Sequence, residues 1–267
     1  MRSFPLTYIV ILFLCLFTLS ACADSAEESS EEQESLQIAA ASNLTLAFKE
    51  IAPLFEEETG INITYSFGST GQLAEQIENG APFDIFVAAN PLFLKELQEK
   101  EAIISESTID FAYGKIGIAT ATSGGFSITD LEDLLDPSIK KIAIANPAHA
   151  PFGTAAEQAL KNTGLLERID EKLVYARNIA DTLSYLESGN VEAAIISESL
   201  YQEGEVEFQL IDSTLYEPIR QTAAIVTQSE KQKLAASFLS FLEGSIGKDV
   251  LKSYGFDIPE EDKANGS

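Results

Sequence analysis

Hydrophobic and polar residues follow one another along this chain in blocks that predict strands and amphipathic helices in turn. Residues 36–41 are an almost unbroken apolar run of strand length. From Leu44 to Phe55 the apolar side chains fall three or four positions apart, which is the spacing of one helix face, and Gly60 supplies a stop. The same succession of strand, turn and helix repeats to about residue 226. Such alternation predicts an α/β protein built on parallel, doubly wound sheets.

The pattern forms two successive sets of elements, the second beginning near residues 111–114. Helices are expected after most of the strands, and a helical segment at 231–254, interrupted at Gly244, closes the chain. The predicted strands are residues 36–41, 61–67, 84–88, 115–121, 141–145, 172–176, 193–196, 207–211 and 221–226. The more clearly bounded helices are expected at residues 91–100 and 154–161, and a turn followed by a short helix is expected within 127–135. Two such sets joined by single strands predict two lobes with a ligand cleft between them.

The N-terminal residues do not fit this pattern. Residues 1–21 combine Arg2 with an apolar stretch too short to span a membrane, which is typical of an export signal. The tetrapeptide ending at Cys22 resembles the lipobox of bacterial lipoproteins, in which this cysteine is lipidated and becomes the mature N-terminus. The alternative is an ordinary secretory signal in which Cys22 has no role. Residues 22–35 are rich in Glu and Ser and predict an acidic, disordered tether.

The net charge argues against nucleic acid as a partner and limits how the protein could bind an anion. The 267 residues carry a formal net charge of −25. Removing Arg2 and the six carboxylates of the tether leaves about −20 for residues 36–267. A surface this acidic argues against nucleic acid binding. It also provides no overall field that attracts an anion, so any anion specificity has to be local.

The residue types that carry most catalysis and metal binding are scarce. Cys15 lies within the predicted signal, so residues after Cys22 hold neither a disulfide nor a thiol nucleophile. His149 is the only histidine, and we expect it to order its proline-flanked turn. No Gly-x-Ser-x-Gly elbow, His/Cys cluster or Asp-rich calcium loop is present. We therefore expect no enzyme, no cofactor and no metal cation.

Two short turns carry the chemistry instead. Residues 39–43 and 67–71 each follow a predicted strand and precede a helix, and each supplies hydroxyl side chains without a Lys or Arg. A helix N-terminus offers unpaired N–H groups and a partial positive charge, which suit an anion. A single Ser or Thr at such a place is usually only a helix cap. Because similar turns recur at residues 152–153, 178–179 and 197, we predict that neutral dipoles grip a small anion together.

The same segments resemble the molybdate-binding proteins of ABC importers. The resemblance rests on residues 39–42, on the long block 66–86 (SFGSTGQLAEQIENGAPFDIF), on NPAHAPFG at 146–153 and on KSYGF at 252–256. It covers essentially all of residues 36–256. It implies a two-lobed periplasmic-binding-protein fold of type II, with residues 36–112 and 213–258 in one lobe and 113–212 in the other. Residues 259–267 are expected to fray.

The resemblance also implies a set of ligand contacts. The first-turn serine corresponds to Ser42, and the second-turn hydroxyl to Thr70, or to Ser69 if the turn shifts by one residue. Backbone N–H contacts correspond to Phe152 and Ile179. Ser197 stands where some members of the family have a tyrosine, and its shorter side chain is expected to reach the anion only through water.

Taken together, the resemblance implies an exported, membrane-anchored lipoprotein that faces the periplasm or the cell exterior. It would act as a monomer that binds molybdate or tungstate and delivers the anion to the permease subunits of an ABC transporter. Two alternatives stay open at this point. One is binding of another solute, such as sulfate or a small organic acid; the other is a surface hydrolase built on the same fold.

Overall fold

The structure, a computed structural model, describes residues 34–126 and 128–259. The predicted signal peptide, Cys22, nearly all of the predicted tether and all but the first residue of the predicted tail lie outside the described residues. Within them, no helix is both long enough and apolar enough to cross a lipid bilayer.

The strands follow the predicted order closely, with one addition. Within the described residues the chain forms β1 (Ser35–Ala41), β2 (Asn62–Gly68), β3 (Ile85–Ala88), β4 (Ile109–Gly114), β5 (Ile116–Ala121), β6 (Ile142–Ala145), β7 (Leu173–Ala176), β8 (Ala193–Ser197), β9 (Val206–Leu210) and β10 (Ile219–Ile225). The hydrophobic pattern does not predict β4, because only part of this strand is buried.

The helices alternate with the strands. They are α1 (Thr45–Thr59), α2 (Thr70–Glu78), α3 (Pro91–Glu99), α4 (Pro151–Asn162), α5 (Leu166–Ile169), α6 (Ile179–Glu187), α7 (Gln232–Glu243) and α8 (Ser245–Ser253), with short 3-10 turns between them. Gly60 ends α1 with φ +74°, a left-handed conformation that glycine adopts without strain. Helix α4 begins at Pro151, three residues before the predicted start, because proline is well suited to the first helical position. The predicted break near Gly244 separates α7 from α8.

The strands form two five-stranded sheets, and each sheet defines one lobe. The order in the first sheet is β2-β1-β3-β10-β4, and in the second it is β7-β6-β8-β5-β9. Both sheets are mixed rather than wholly parallel, which corrects the expectation from the sequence. In the first sheet β10 runs antiparallel to β3 and β4, and in the second β5 runs antiparallel to β8 and β9. These are the two strands that the chain enters on crossing from the other sheet.

The two sheets are connected by few segments. The chain passes from β4 to β5 through the single residue Lys115, and it returns between β9 and β10. The Lys115 ammonium lies 3.1 Å from carboxylate oxygens of both Glu198 and Asp257. Burial lowers the pKa of Lys115, but the hydrogen bonds to Asp257 and Glu198 outweigh this and leave its pKa above the ordinary value. The crossing is therefore held by local ion pairs.

The first lobe has an aromatic core between its sheet and helices α1 and α7. Phe48 and Phe55 on α1 meet Phe238 on α7 edge to face, with ring centroids 6.0 and 5.4 Å apart. All three side chains are fully buried. The spacing of the apolar positions on α1 is what brings both of its rings to the same face.

We expect Phe238→Ala to lower the free energy of unfolding by about 3–5 kcal/mol, because it removes a buried ring and leaves a cavity among its neighbours. Urea denaturation followed by circular dichroism measures this loss. The control is Leu92→Ala, since Leu92 is 61% exposed and its truncation should change the free energy of unfolding by no more than about 0.5 kcal/mol. Equal effects of the two substitutions would contradict the proposed role of the aromatic core.

Candidate ligand-binding site

Five of the six residues predicted to contact a ligand line one buried cavity between the two sheets. They are Ser42, Ser69, Thr70, Phe152 and Ile179. The cavity measures about 10 Å³, which is about the room that one water molecule requires. The other residues of its lining are Ala41, Asn43, Gly68, Ala89, Ala150 and Pro151. No charged side chain belongs to this lining.

Strand ends from both lobes supply the lining. In the first lobe, Ser42 follows the last residue of β1, and Ser69 and Thr70 follow the end of β2. In the second lobe, β6 leads to Phe152 at the start of α4, and β7 leads to Ile179 at the start of α6. The carboxyl ends of parallel strands lie at one edge of a sheet, so each lobe presents two of its helix starts to the same space.

Ser42 connects the two lobes directly. Its hydroxyl donates to the Oδ1 atom of Asn178 at 3.1 Å and accepts the backbone N–H of Ala180 at 3.4 Å. Asn178 Oδ1 also accepts the N–H of Asp181 at 2.9 Å, which caps α6. The hydroxyl of the first turn therefore bonds to the helix start that also carries Ile179.

The two hydroxyls of the second turn differ in their partners. Thr70 Oγ1 accepts the backbone N–H of Ala89 at 3.2 Å and so keeps its own proton for another acceptor. Ser69 Oγ lies 2.8 Å from His149 Nδ1 and also accepts the N–H of Gln72 at 3.4 Å, as the cap of α2. Both side chains are almost completely buried. Thr70 is thus the hydroxyl better placed to donate into the cavity.

The backbone of Phe152 lies in the first turn of α4. The N–H groups of Gly153 and Thr154 both bond to the carbonyl of Ala150, at 2.9 and 3.1 Å. A side chain at Gly153 would collide with the Ala145 carbonyl oxygen, so glycine lets the helix start pack directly on the end of β6. The N–H of Phe152 precedes these two bonded groups and lies at the positive end of the helix dipole.

Ser197, the sixth predicted contact, is fully buried but does not belong to the lining. Its hydroxyl lies 2.7 Å from that of Ser199, which in turn donates to the carbonyl of Asn43 at 2.7 Å. Ser197 is therefore connected to the first turn through Ser199. Its water-mediated ligand contact stays a prediction.

Three polar residues that surround the site were not among the predicted ligand contacts, although Asn43 and Asn178 lie in turns that the sequence singled out. Asn178 and His149 each bond across the cleft, to Ser42 and Ser69. Asn43 lines the cavity and donates through Nδ2 to Gln221 Oε1 at 3.0 Å, while its own Oδ1 has no hydrogen-bond partner. The position of Asn43 directly after Ser42 could have indicated a role in the site. The bonds of His149 and Asn178 could not be inferred in this way, because they depend on contacts between distant segments.

Larger grooves on the second lobe are poorly suited to an anion. One of about 350 Å³ lies beside Ile118 and Leu215 and is bordered by Asp130, Glu132 and Asp212. Carboxylates at such a border repel negative charge. In the part of the chain that the structure describes, no three His, Cys, Asp or Glu side chains are grouped so as to hold a metal ion.

Comparison with known proteins identifies the class. Residues 36–257 match the family of bacterial extracellular solute-binding proteins, and the chain belongs to that family. Among curated relatives, the molybdate-binding protein ModA of Azotobacter vinelandii is 35% identical over 245 residues, covering 90% of this chain and 94% of the relative. A putative ABC transporter substrate-binding lipoprotein of Bacillus subtilis, YvgL, is 28% identical over 256 residues, covering 93% and 96%.

A solved structure gives the same result. The periplasmic molybdate-binding protein of Azotobacter vinelandii superposes with a TM-score of 0.79 at 26% identity, over 84% of this chain and 100% of that chain. The resemblance noted in the sequence and the two-lobed α/β fold are both confirmed. As a member of an extracellular solute-binding family, the protein is an exported binding protein rather than a member of an enzyme family.

Proposed function

We propose that this protein captures a tetrahedral oxyanion, molybdate or tungstate, and delivers it to the permease of an ABC importer. One observation carries the proposal: hydroxyls and helix starts from both lobes converge on a buried cavity that no charged side chain lines. The similarity to molybdate-binding proteins over nine-tenths of the chain supports the same ligand. The proposed contacts are Ser42, Thr70 or Ser69, and the N–H groups of Phe152 and Ile179, with Ser197 acting through water.

In this proposal the ligand replaces bonds that now run between the lobes. To donate to an anion, Ser42 has to turn its proton away from Asn178, so that a ligand oxygen takes the place of the Oδ1 atom. Thr70 needs no such exchange, because its oxygen accepts from Ala89 and its proton is free to be donated. Each charge-assisted hydrogen bond formed in this way contributes roughly 1.5–3 kcal/mol.

The size of the cavity requires the lobes to move. The cavity has room for about one water molecule, and a tetrahedral oxyanion with four oxygen atoms is larger than that, so entry requires the lobes to part and then close again around the ligand. The single-residue crossing at Lys115 is a suitable hinge. Closure excludes water, which strengthens each bond to the anion and gives the permease a distinct surface to recognise. We propose lobes of residues 36–112 with 213–258 and of residues 113–212; the chain crossings at Lys115 and between Leu210 and Ile219 support this division.

The first experiment measures which anion stabilises the protein. A ligand that binds only the folded state at a hundredfold excess over its Kd stabilises it by about 2.7 kcal/mol. We expect molybdate and tungstate to raise the melting temperature of the purified protein, and sulfate at the same concentration to do so much less. Differential scanning calorimetry and native mass spectrometry check both the shift and the stoichiometry.

Sulfate is the control, since it has the same charge and tetrahedral shape as molybdate but a smaller radius. A larger shift with sulfate would assign the site to that anion, and a shift with a small organic acid alone would exclude tetrahedral recognition. No shift with any of them would overturn the proposed function.

We also propose that the mature protein is a monomer anchored through a lipidated Cys22. The tetrapeptide ending at this residue and the similarity to a lipoprotein of Bacillus subtilis support the anchor. A multiply acylated cysteine anchors stably, whereas a single chain anchors only marginally.

We expect Cys22→Ser to move the protein from the membrane fraction to the soluble envelope fraction or the medium, with unchanged anion binding. Fractionation and immunoblotting of cells expressing either form check this. A conservative change within the tether, Ser29→Ala, is the control and should leave the protein in the membrane fraction. Membrane association that survives Cys22→Ser would contradict the lipid anchor.

A further inference from the structure

His149 lies in the turn between β6 and α4, in the second lobe, yet two of its bonds cross the cleft. Its Nδ1 atom is 2.8 Å from the hydroxyl of Ser69, and its carbonyl accepts the N–H of Gly71 at 2.9 Å. Ser69 and Gly71 belong to the start of α2 in the first lobe. One side-chain bond and one backbone bond therefore join the lobes beside the cavity that Ser69 lines.

Gly71 allows the backbone of His149 to come close to the start of α2 because glycine has no side chain, and not because of its backbone conformation. It lies within helix α2, and it does not have a positive φ. A Cβ atom added at Gly71 would stand 2.9 Å from both the Cβ and the carbonyl oxygen of His149. Real Cβ atoms do not come this close to other heavy atoms. The glycine is thus needed for the contact between the lobes and not for the helix.

The turn that carries His149 is itself held in place. The Asn146 carbonyl accepts the N–H groups of His149 and Ala150, at 3.3 and 3.0 Å. The Asn146 side chain also accepts the N–H of Ala148 at 3.0 Å. Because these bonds fix the turn, the imidazole reaches the cleft in a defined position.

The proton on His149 decides what Ser69 can do. If Nδ1 is an acceptor, the Ser69 hydroxyl has to donate its only proton to the ring. If Nδ1 carries the proton, the ring donates and the Ser69 proton becomes available to a ligand. The hydrogen bond exists in both cases, but only the second leaves Ser69 as a donor to the cavity.

From these contacts we infer that His149 is a positioning residue, which with Gly71 clasps the two lobes over the site and sets the direction of the Ser69 hydroxyl. The part of this inference that concerns an anion rests on the proposed function. The contact between the lobes does not, and it can be tested without any ligand.

The ligand-free test uses nitrogen NMR of the imidazole. Since His149 is the only histidine among 267 residues, an untagged, ¹⁵N-labelled protein gives one imidazole spectrum, from which the tautomer can be read. We expect Ser69→Ala to shift the Nδ1 resonance of His149. Thr45→Ala, which removes a hydroxyl bonded only within its own lobe at 2.7 Å, is the control and should leave the spectrum unchanged. An unchanged Nδ1 resonance in Ser69→Ala would overturn the inference.

The second test separates closure from folding. Gly71→Ala should lower the melting temperature of the ligand-free protein less than Gly247→Ala does, because parting of the lobes relieves the clash with His149 and alanine favours a helix more than glycine does. It should weaken molybdate binding at least about tenfold, with a faster dissociation rate. The matched control is Gly247→Ala in α8, where an added Cβ would lie 2.5 Å from the Phe241 carbonyl oxygen within one lobe. This control should lower the melting temperature and leave molybdate affinity unchanged.

The third test asks whether the hydrogen bond at Nδ1 matters. His149→Phe should weaken molybdate binding about fivefold, the effect of one neutral hydrogen bond. His149→Asn, whose short amide can occupy the position of Nδ1, should restore affinity to within about twofold. Wild-type affinity in both Gly71→Ala and His149→Phe would overturn the clasp. If the unmodified protein binds no oxyanion, the proposed function fails, while the NMR result still decides whether His149 holds Ser69.

Discussion

The site depends on one electrostatic constraint, which is that neutral dipoles have to hold an anion inside a strongly acidic protein. The chain carries a formal charge of −25, and no charged side chain lines the cavity. Hydroxyls and first-turn N–H groups can meet this constraint only if the fold fixes them around one point. Strand ends of both sheets therefore have to converge, as they do at Ser42, Thr70, Phe152 and Ile179.

The same constraint explains how the lobes meet. Beside the cavity, neutral hydrogen bonds join them, from Ser42 to Asn178 and between Ser69 and His149. The ion pairs of Lys115 are kept at the crossing of the chain. A neutral hydrogen bond contributes only about 0.5–1.5 kcal/mol net, less than a charge-assisted one. An anion can therefore replace the bond from Ser42 to Asn178 when it enters, and this bond can form again when the anion leaves.

Local pattern was enough to predict most of the fold and part of the site. Periodicity located α1 and nine of the ten strands among the described residues. The strand-to-helix turns indicated where a ligand would bind, and the resemblance to molybdate-binding proteins identified five residues that line the cavity. The direction of β5 and β10 was wrong, because a strand entered from the other lobe depends on the path of the whole chain. The bonds of His149 and Asn178 across the cleft were not predicted, for the same physical reason. Their partners are 80 and 136 positions away, beyond the reach of any local pattern.

Whether neutral dipoles or an ion pair hold the anion is tested most directly by removing, in turn, a hydroxyl and a cation near the cleft. Isothermal titration calorimetry with molybdate on Ser42→Ala and Arg177→Gln, each at low and moderate salt, makes this comparison. Arg177 is next to Asn178 but is 79% exposed and paired with Asp181. We expect the affinity for molybdate to fall about ten- to a hundredfold in Ser42→Ala, to change little in Arg177→Gln and to depend little on salt. Loss of binding in Arg177→Gln, with Ser42→Ala close to wild type and strong salt dependence, would show that an ion pair holds the anion.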